Sequence, residues 1–379
     1  VARTSSAGGA ALLTRLHLLD KVALAVTITL SIFGVIFIHS ATNGNENEGL
    51  WIKQVIWILA GLVFYFGMSR TDYKVLVSQA NWLYLGGIIS LVLVLFTEPI
   101  NGAHSWFRLP GFSLQPSEFV KIVTVLMVTK YFSRFHERNS SFWEFVTSSL
   151  LIGIPFVLIL LQSDMGTALV YLPFFLIPNF LIGKKESIYV SAGGGIVLLL
   201  VIMAVVYKPN WVFFMKDYQK DRIVSFIYPE RDTANKGYQV HQSKISIGQG
   251  GLFGMGLGKG KQTQMGFLPA QHNDFILAVA AEETGFVGIF TIFGLFAWLF
   301  MRGFQTALEA SDTTGSALVV LVISTLFVQM LFNAAMLIGL VPTTGIPCPL
   351  ISYGGSSMLT TFGLLGLVQS VRTHRFVNQ

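Results

Sequence analysis

The chain has 379 residues, of which 53% are hydrophobic and 12% charged, with a formal net charge of +6 at pH 7. Soluble domains carry about 25% charged residues, so a large water-soluble fold is excluded: too little polar surface exists to cover the apolar mass. The single cysteine, Cys348, excludes an internal disulfide and a cysteine-built metal cluster.

Apolar runs of membrane length recur along the chain, at roughly 22–41, 51–68, 80–98, 114–132, 144–162, 165–182, 187–207, 275–300, 315–340 and 352–370. They are continuous rather than alternating, which favours helices over a porin barrel. The expected fold is therefore an all-α polytopic membrane protein of ten transmembrane helices. The first run, behind Lys21, is long for a signal-peptide core and reads as a retained helix.

Lysine and arginine in short connections set orientation. Arg3, Arg15, Lys21, Arg70, Lys74, Arg134, Arg138, Lys184, Lys185, Arg302, Arg372 and Arg375 fall on one side, while the other side offers little beyond Lys53 and Arg108. Both termini are expected in the cytoplasm. Residues 208–274, between the seventh and eighth helices, form a large extracytoplasmic loop. The chain 1–379 reads as one membrane domain.

Within that loop, Trp211–Met215 is apolar enough to lie on a membrane face. Pro229 ends whatever precedes it, and Tyr238–Ile247 is amphipathic. Gly248–Gly260 holds seven glycines in thirteen positions, unsuited to a stable helix but suited to close approach to a ligand. The loop ends in Leu268-Pro269-Ala270-Gln271-His272-Asn273-Asp274, which sets an imidazole and a carboxylate at the lip of a membrane run. Helix capping and chemistry both fit Asp274. Glu282 and Glu283 follow inside the same run, on different faces, and need separate partners.

Glu118 and Lys121, three apart on one helical face behind Pro116, read either as a buried structural pair or as the charged floor of an external cavity. Asp164, in the reversal Gln162–Thr167, can cap the next helix and face the same cavity. Arg108, among aromatics, can snorkel or hold a phosphate. Three prolines in Val341–Leu350 forbid a regular helix, so this external segment is expected to fold back into the bundle, followed by Ser352, Ser356 and Ser357. No spacing is convincing for a metal, though Asp164, Glu118 and Asp274 together suit a divalent ion on a phosphate. Nothing supports nucleic-acid binding.

Gln115-Pro116-Ser117-Glu118 with Lys121, Gln162–Thr167, Gly237-Tyr238-Gln239 with Gln242-Ser243, Leu268–Asp274 and Pro342–Ser357 occur in that order. Across nearly the whole chain they resemble the signatures of the shape, elongation, division and sporulation (SEDS) family, nearer to its elongation branch. The resemblance implies a peptidoglycan glycosyltransferase for cell elongation and rod shape. It would polymerise lipid II, a disaccharide-pentapeptide on undecaprenyl pyrophosphate, at the outer face of the cytoplasmic membrane. A class B penicillin-binding protein, the crosslinking transpeptidase, and other elongation-complex membrane proteins are the implied partners. The family carboxylate falls on Asp274, the expected general base, with Glu118 and Lys121 completing the expected catalytic set. Arg108, Asp164, Arg222, Gln242, Ser243, His272 and Ser356 are the expected substrate contacts. A magnesium or manganese ion is the one candidate cofactor. Two positions depart from the family pattern: Asn273 stands where threonine is usual, and Ser163 where proline is usual. A lipid-linked precursor flippase, or a scaffold for the penicillin-binding protein, are the alternative classes.

Overall fold

The computed structural model describes residues 19–44, 47–100, 102–135, 142–182, 226, 236–268 and 271–375. The expected run at 187–207, Trp211–Met215, Arg222 and Pro229 lie outside the described residues. Described elements are helices α1 (Lys21–Thr42), α2 (Leu50–Arg70), α3 (Tyr73–Ser78) and α4 (Ala80–Val94), then strands β1 (Phe107–Leu109) and β2 (Phe112–Leu114). Helices α5 (Pro116–Phe135), α6 (Phe142–Leu161), α7 (Met165–Leu169), α8 (Leu172–Ile182), α9 (Lys236–Gly250) and α10 (Lys261–Gln264) follow. The last three are α11 (Ile276–Leu308), α12 (Thr313–Leu337) and α13 (Gly355–His374).

The protein is largely helical and polytopic: α1, α2, α11 and α12 are each long and apolar enough to cross a membrane. Their apolar side chains point outward as well as inward, as lipid allows; Val63 is 75% exposed and Phe290 68%. Helix α13 lies along α2. Gly61 faces the Phe362 ring and Gly363 faces Phe64, too close to admit a Cβ at either position, which is how helices gain contact where lipid supplies no hydrophobic drive.

One end of the bundle is a net of charges. Asp20 caps α1 by accepting from the Val22 and Ala23 amides (3.1 and 3.0 Å) and pairs with Arg302 (2.6 Å) and Arg372 (3.6 Å). Glu309 holds Arg375. Asp312 caps α12 through the Gly315 amide (2.7 Å) and binds Lys74 (3.0 Å) and the Tyr73 hydroxyl (2.9 Å). Burial alone would raise its carboxyl, but these donors together hold it below the usual carboxylate value.

Two features depart from a bundle of plain spans. Residues 107–114 form an antiparallel hairpin with Arg108 opposite Ser113. The run expected at 165–182 is broken after Leu169 and restarts at Leu172. Pro173 has no N–H for the turn before it, so the ladder cannot pass through, whereas proline is well placed in a first turn.

Candidate active site

A cavity of about 900 Å³ opens at the end of the bundle opposite the charge net, and both Asp164 and Asp274 line it. Asp164 caps α7, accepting from the Thr167 amide (3.0 Å) and hydroxyl (2.8 Å). Its second oxygen also accepts from Gln115 Nε2 (2.7 Å). The backbone N–H of Gln115 donates to Ser356 Oγ (3.0 Å) at the head of α13. Capping and cavity placement therefore coexist at Asp164, and Ser356 reaches the same wall. Ser357, Trp57 and the hairpin residue Phe112 add to the lining, the two rings meeting edge to face at 5.7 Å.

Asp274 stands just before α11, half-buried. Its peptide oxygen accepts from Asn333 Nδ2 (2.8 Å). Its carboxylate borders Gly345, where a Cβ would lie 3.3 Å from Oδ2. Gly345 belongs to the proline-broken segment, which folds back as expected: Ile346, Cys348, Leu350 and Ile351 are buried, and no described residue between Val341 and Cys348 is helical.

His272 is set beside the cavity rather than on it. Its carbonyl accepts from the Tyr353 amide (3.0 Å) and its ring meets Tyr353 edge-on at 5.9 Å. Burial lowers its pKa below the ordinary 6.5. The folded state thus binds fewer protons here than the unfolded chain does. Stability from this group is complete above about pH 6.5 and declines as pH falls below that value. Thermal unfolding in detergent from pH 7.5 to 5 should show this decline, and His272→Gln should flatten it.

Ser163, where the family pattern has proline, lines the cavity with φ +68° and donates its amide to Leu160 O (3.1 Å). Proline is held near −65° and has no N–H, so the turn here is one that proline could not form. Ser163→Pro should destabilise the protein by about 3 kcal/mol or more. Ser163→Gly should be neutral or stabilising, because glycine accepts positive φ without strain. Paired melting curves check both.

Several other expected site residues stand away from this cavity. Glu118 and Lys121 do not line the cavity. They are 3% and 1% exposed, with Nζ 2.8 Å from each carboxylate oxygen, and sit behind its wall. Their link to it is indirect: Lys121 Nζ reaches Gln329 Oε1 (3.4 Å), and Gln329 Nε2 donates to the carbonyl of the lining residue Pro347 (3.0 Å). Because Glu118 is engaged by Lys121, it does not join Asp164 and Asp274 as a third ligand, and no metal-holding group of three occurs among the described residues. Gln242 and Ser243 are also off the lining. Ser243 is buried and donates to Leu337 O (3.0 Å), fastening α9 to α12.

Arg108 is exposed on the hairpin, 3.7 Å from Glu98, and outside the lining, though its cross-strand partner Ser113 is on it. Among the described residues, the cation on the wall is Lys53, which in sequence is a charge of a short loop. Its position in the first turn of α2, at the same end as Asp274, was the available signal.

The glycine-rich segment does not face the cavity. Helix α9 runs one turn into it, and the rest clasps a kink in α11 at Gly285 (φ +65°). The kink frees the Phe286 and Val287 amides, which donate to Gly251 O (2.9 Å) and Leu252 O (3.1 Å). In exchange, the Met255 and Gly256 amides donate to Glu282 O (2.9 Å) and Glu283 O (3.0 Å). The two acids have separate partners, as expected: Glu282 accepts from the Gln262 and Thr263 amides (2.7 and 3.1 Å). Glu283 accepts from Ser40 and from the Gly258 amide.

Comparison with known proteins bears on what such a bundle is. The sequence pattern of the FtsW/RodA/SpoVE family, described as cell cycle proteins, matches residues 20–376, and the chain belongs to that family. It is 35% identical to peptidoglycan glycosyltransferase MrdB of Escherichia coli K12 over 358 residues, 94% of each chain. It is 34% identical to a probable peptidoglycan glycosyltransferase FtsW of Trichlorobacter lovleyi, again over 94% of each. Its fold matches a chain in a peptidoglycan synthase complex that coordinates polymerization and crosslinking (TM-score 0.79, 28% identity, 94% of this chain and 98% of that one). It also matches the rod shape determining protein RodA of Thermus thermophilus (TM-score 0.70, 27% identity, 94% and 98%).

Proposed function

We propose that the protein is a peptidoglycan glycosyltransferase that polymerises lipid II, with Asp274 on the cavity wall as the observation that carries the reading. The cavity faces outward from the cytoplasmic membrane, the chain crosses ten times, and residues 208–274 are the large outer loop. The basic net at the far end of the same helices supports this orientation, since cytoplasmic ends gather lysine and arginine. The resemblance to the elongation branch supports a role in rod shape. The likeness to a synthase complex supports a class B penicillin-binding protein as partner.

The acceptor hydroxyl attacks the anomeric carbon of the donor sugar. A new C–O bond forms, the bond to the lipid pyrophosphate breaks, and the carbon inverts. Asp274 takes the hydroxyl proton. The departing group already carries pyrophosphate, so it needs positive charge more than a proton; Lys53 on the wall supplies one such charge. Asp164 and Asp274 are the carboxylates that would hold a magnesium or manganese ion on that pyrophosphate, where it would add further positive charge. Trp57 and Trp106 offer ring faces for the sugars. Glu118 and Lys121 brace the floor.

Purified protein given lipid II, with and without a divalent ion and the penicillin-binding partner, should yield a ladder of glycan strands on a gel. Movement of lipid II across sealed vesicles with no polymer would overturn the reading in favour of a flippase.

A further inference from the structure

Two buried amides in the C-terminal half of α12 stand out in an apolar helix. Gln329 and Asn333 are four residues apart, on one helix face, and are 1% and 0% exposed. A polar side chain at that depth is costly unless its hydrogen bonds are met. The NH2 group of each is met by chain segments that line the cavity, while Asn333 Oδ1 is buried without a hydrogen-bond partner among the described residues. Asn333 Nδ2 donates to Asp274 O (2.8 Å) and to Ile346 O (2.7 Å). With two carbonyls as partners, the amide can face only one way, its NH2 group toward them. Gln329 Nε2 donates to Pro347 O (3.0 Å), one residue along the same segment, while its oxygen faces Lys121 Nζ (3.4 Å).

The two segments so joined come from separate parts of the sequence. One carries Asp274 and the other carries Gly345, whose backbone borders the Asp274 carboxylate. Neither segment is helical at the point of contact, so neither fixes the other's position through its own ladder. Asn333 ties them through one side chain, and Gln329 extends the tie to the buried Glu118–Lys121 pair.

We infer that Asn333, with Gln329 below it, is a positioning residue that sets the Asp274 carboxylate against the proline-broken segment and so determines the rate of sugar transfer. The inference rests on the proposed role of Asp274. Asn333 donates to main-chain oxygens, so it acts on where the base stands and not on its charge. Substrate binding draws on the rest of the wall and is left intact. A misplacement of about 1 Å at a reacting centre costs on the order of 100-fold in rate.

The test is steady-state polymerisation of lipid II by the purified full chain, with melting curves on every variant. Asn333→Ala should lower kcat about 100-fold with KM within about threefold of wild type. Asn333→Ser, which keeps one donor, should lose less and remain interpretable if the alanine variant folds poorly. Thr325→Ala is the control: Thr325 lies two turns earlier on α12, equally buried, but donates only within its own helix, to Leu321 O (2.7 Å). It should keep wild-type kcat. An unchanged kcat in folded Asn333→Ala or Asn333→Ser would overturn the inference, as would an equal loss in Thr325→Ala or a loss confined to KM. Asp274→Asn, run alongside, separates the two readings. If it is inactive while the Asn333 variants are normal, only the positioning role fails. If it is fully active, the base assignment fails and the inference falls with it.

Discussion

Asp274→Asn should lose polymer formation by roughly 10²- to 10⁴-fold, the range that a positioned general base contributes. The substitution keeps the shape of the side chain and the peptide oxygen that Asn333 binds (2.8 Å), so the segment before α11 should stay in place. It removes the one property that the reaction needs, a carboxylate able to take a hydroxyl proton. The half-buried setting makes the loss readable, because the neutral amide leaves no isolated charge to unfold the protein. The protein should melt normally and still bind lipid II. Full activity in a folded sample would reject the assignment.

The second large effect is on stability. Lys121→Met leaves Glu118 3% exposed and without the ammonium that lies 2.8 Å from both of its oxygens. Breaking a buried pair in this way costs about 3–5 kcal/mol. Adding Glu118→Gln removes the stranded charge and should recover most of that loss, since replacing both members of a buried pair is often nearly neutral. Because the pair stands behind the wall, polymerisation should return together with stability in the double variant. A double variant that melts like wild type but makes no polymer would show that the pair acts on substrate directly.

The contrast between these two sites shows what the sequence could convey. Asp164 and Asp274 sit at the edges of apolar runs, where a polar residue must face either water or a cavity, and both reach one cavity wall. The proline-broken segment was equally plain, since three prolines cannot continue a helix. Glu118 and Lys121 gave only their spacing, which fixes that they meet but not which way the face turns. The break after Leu169 depends on one proline and a capping acid inside an otherwise continuous run. Ser243 was expected to meet substrate, yet it is buried and donates to Leu337 O of α12. The glycines at 251–260 signal close approach without naming the partner, which proved to be the α11 kink rather than a ligand. Gln329 and Asn333 were hidden in an apolar run, and only the cavity segments folded against them give them meaning.

Whether that cavity opens outward is the point on which the chemistry turns. The most direct measurement is labelling of Asn273→Cys, a lining position beside Asp274, with a membrane-impermeant maleimide in intact bacteria, or in spheroplasts where an outer membrane is present. Cys348→Ser, at a buried site, would serve as the background. Labelling without permeabilisation, slowed by added lipid II, is the result expected of a base aimed at a lipid-linked sugar outside the membrane. Labelling only after the membrane is opened would place the carboxylate on the cytoplasmic side and contradict it.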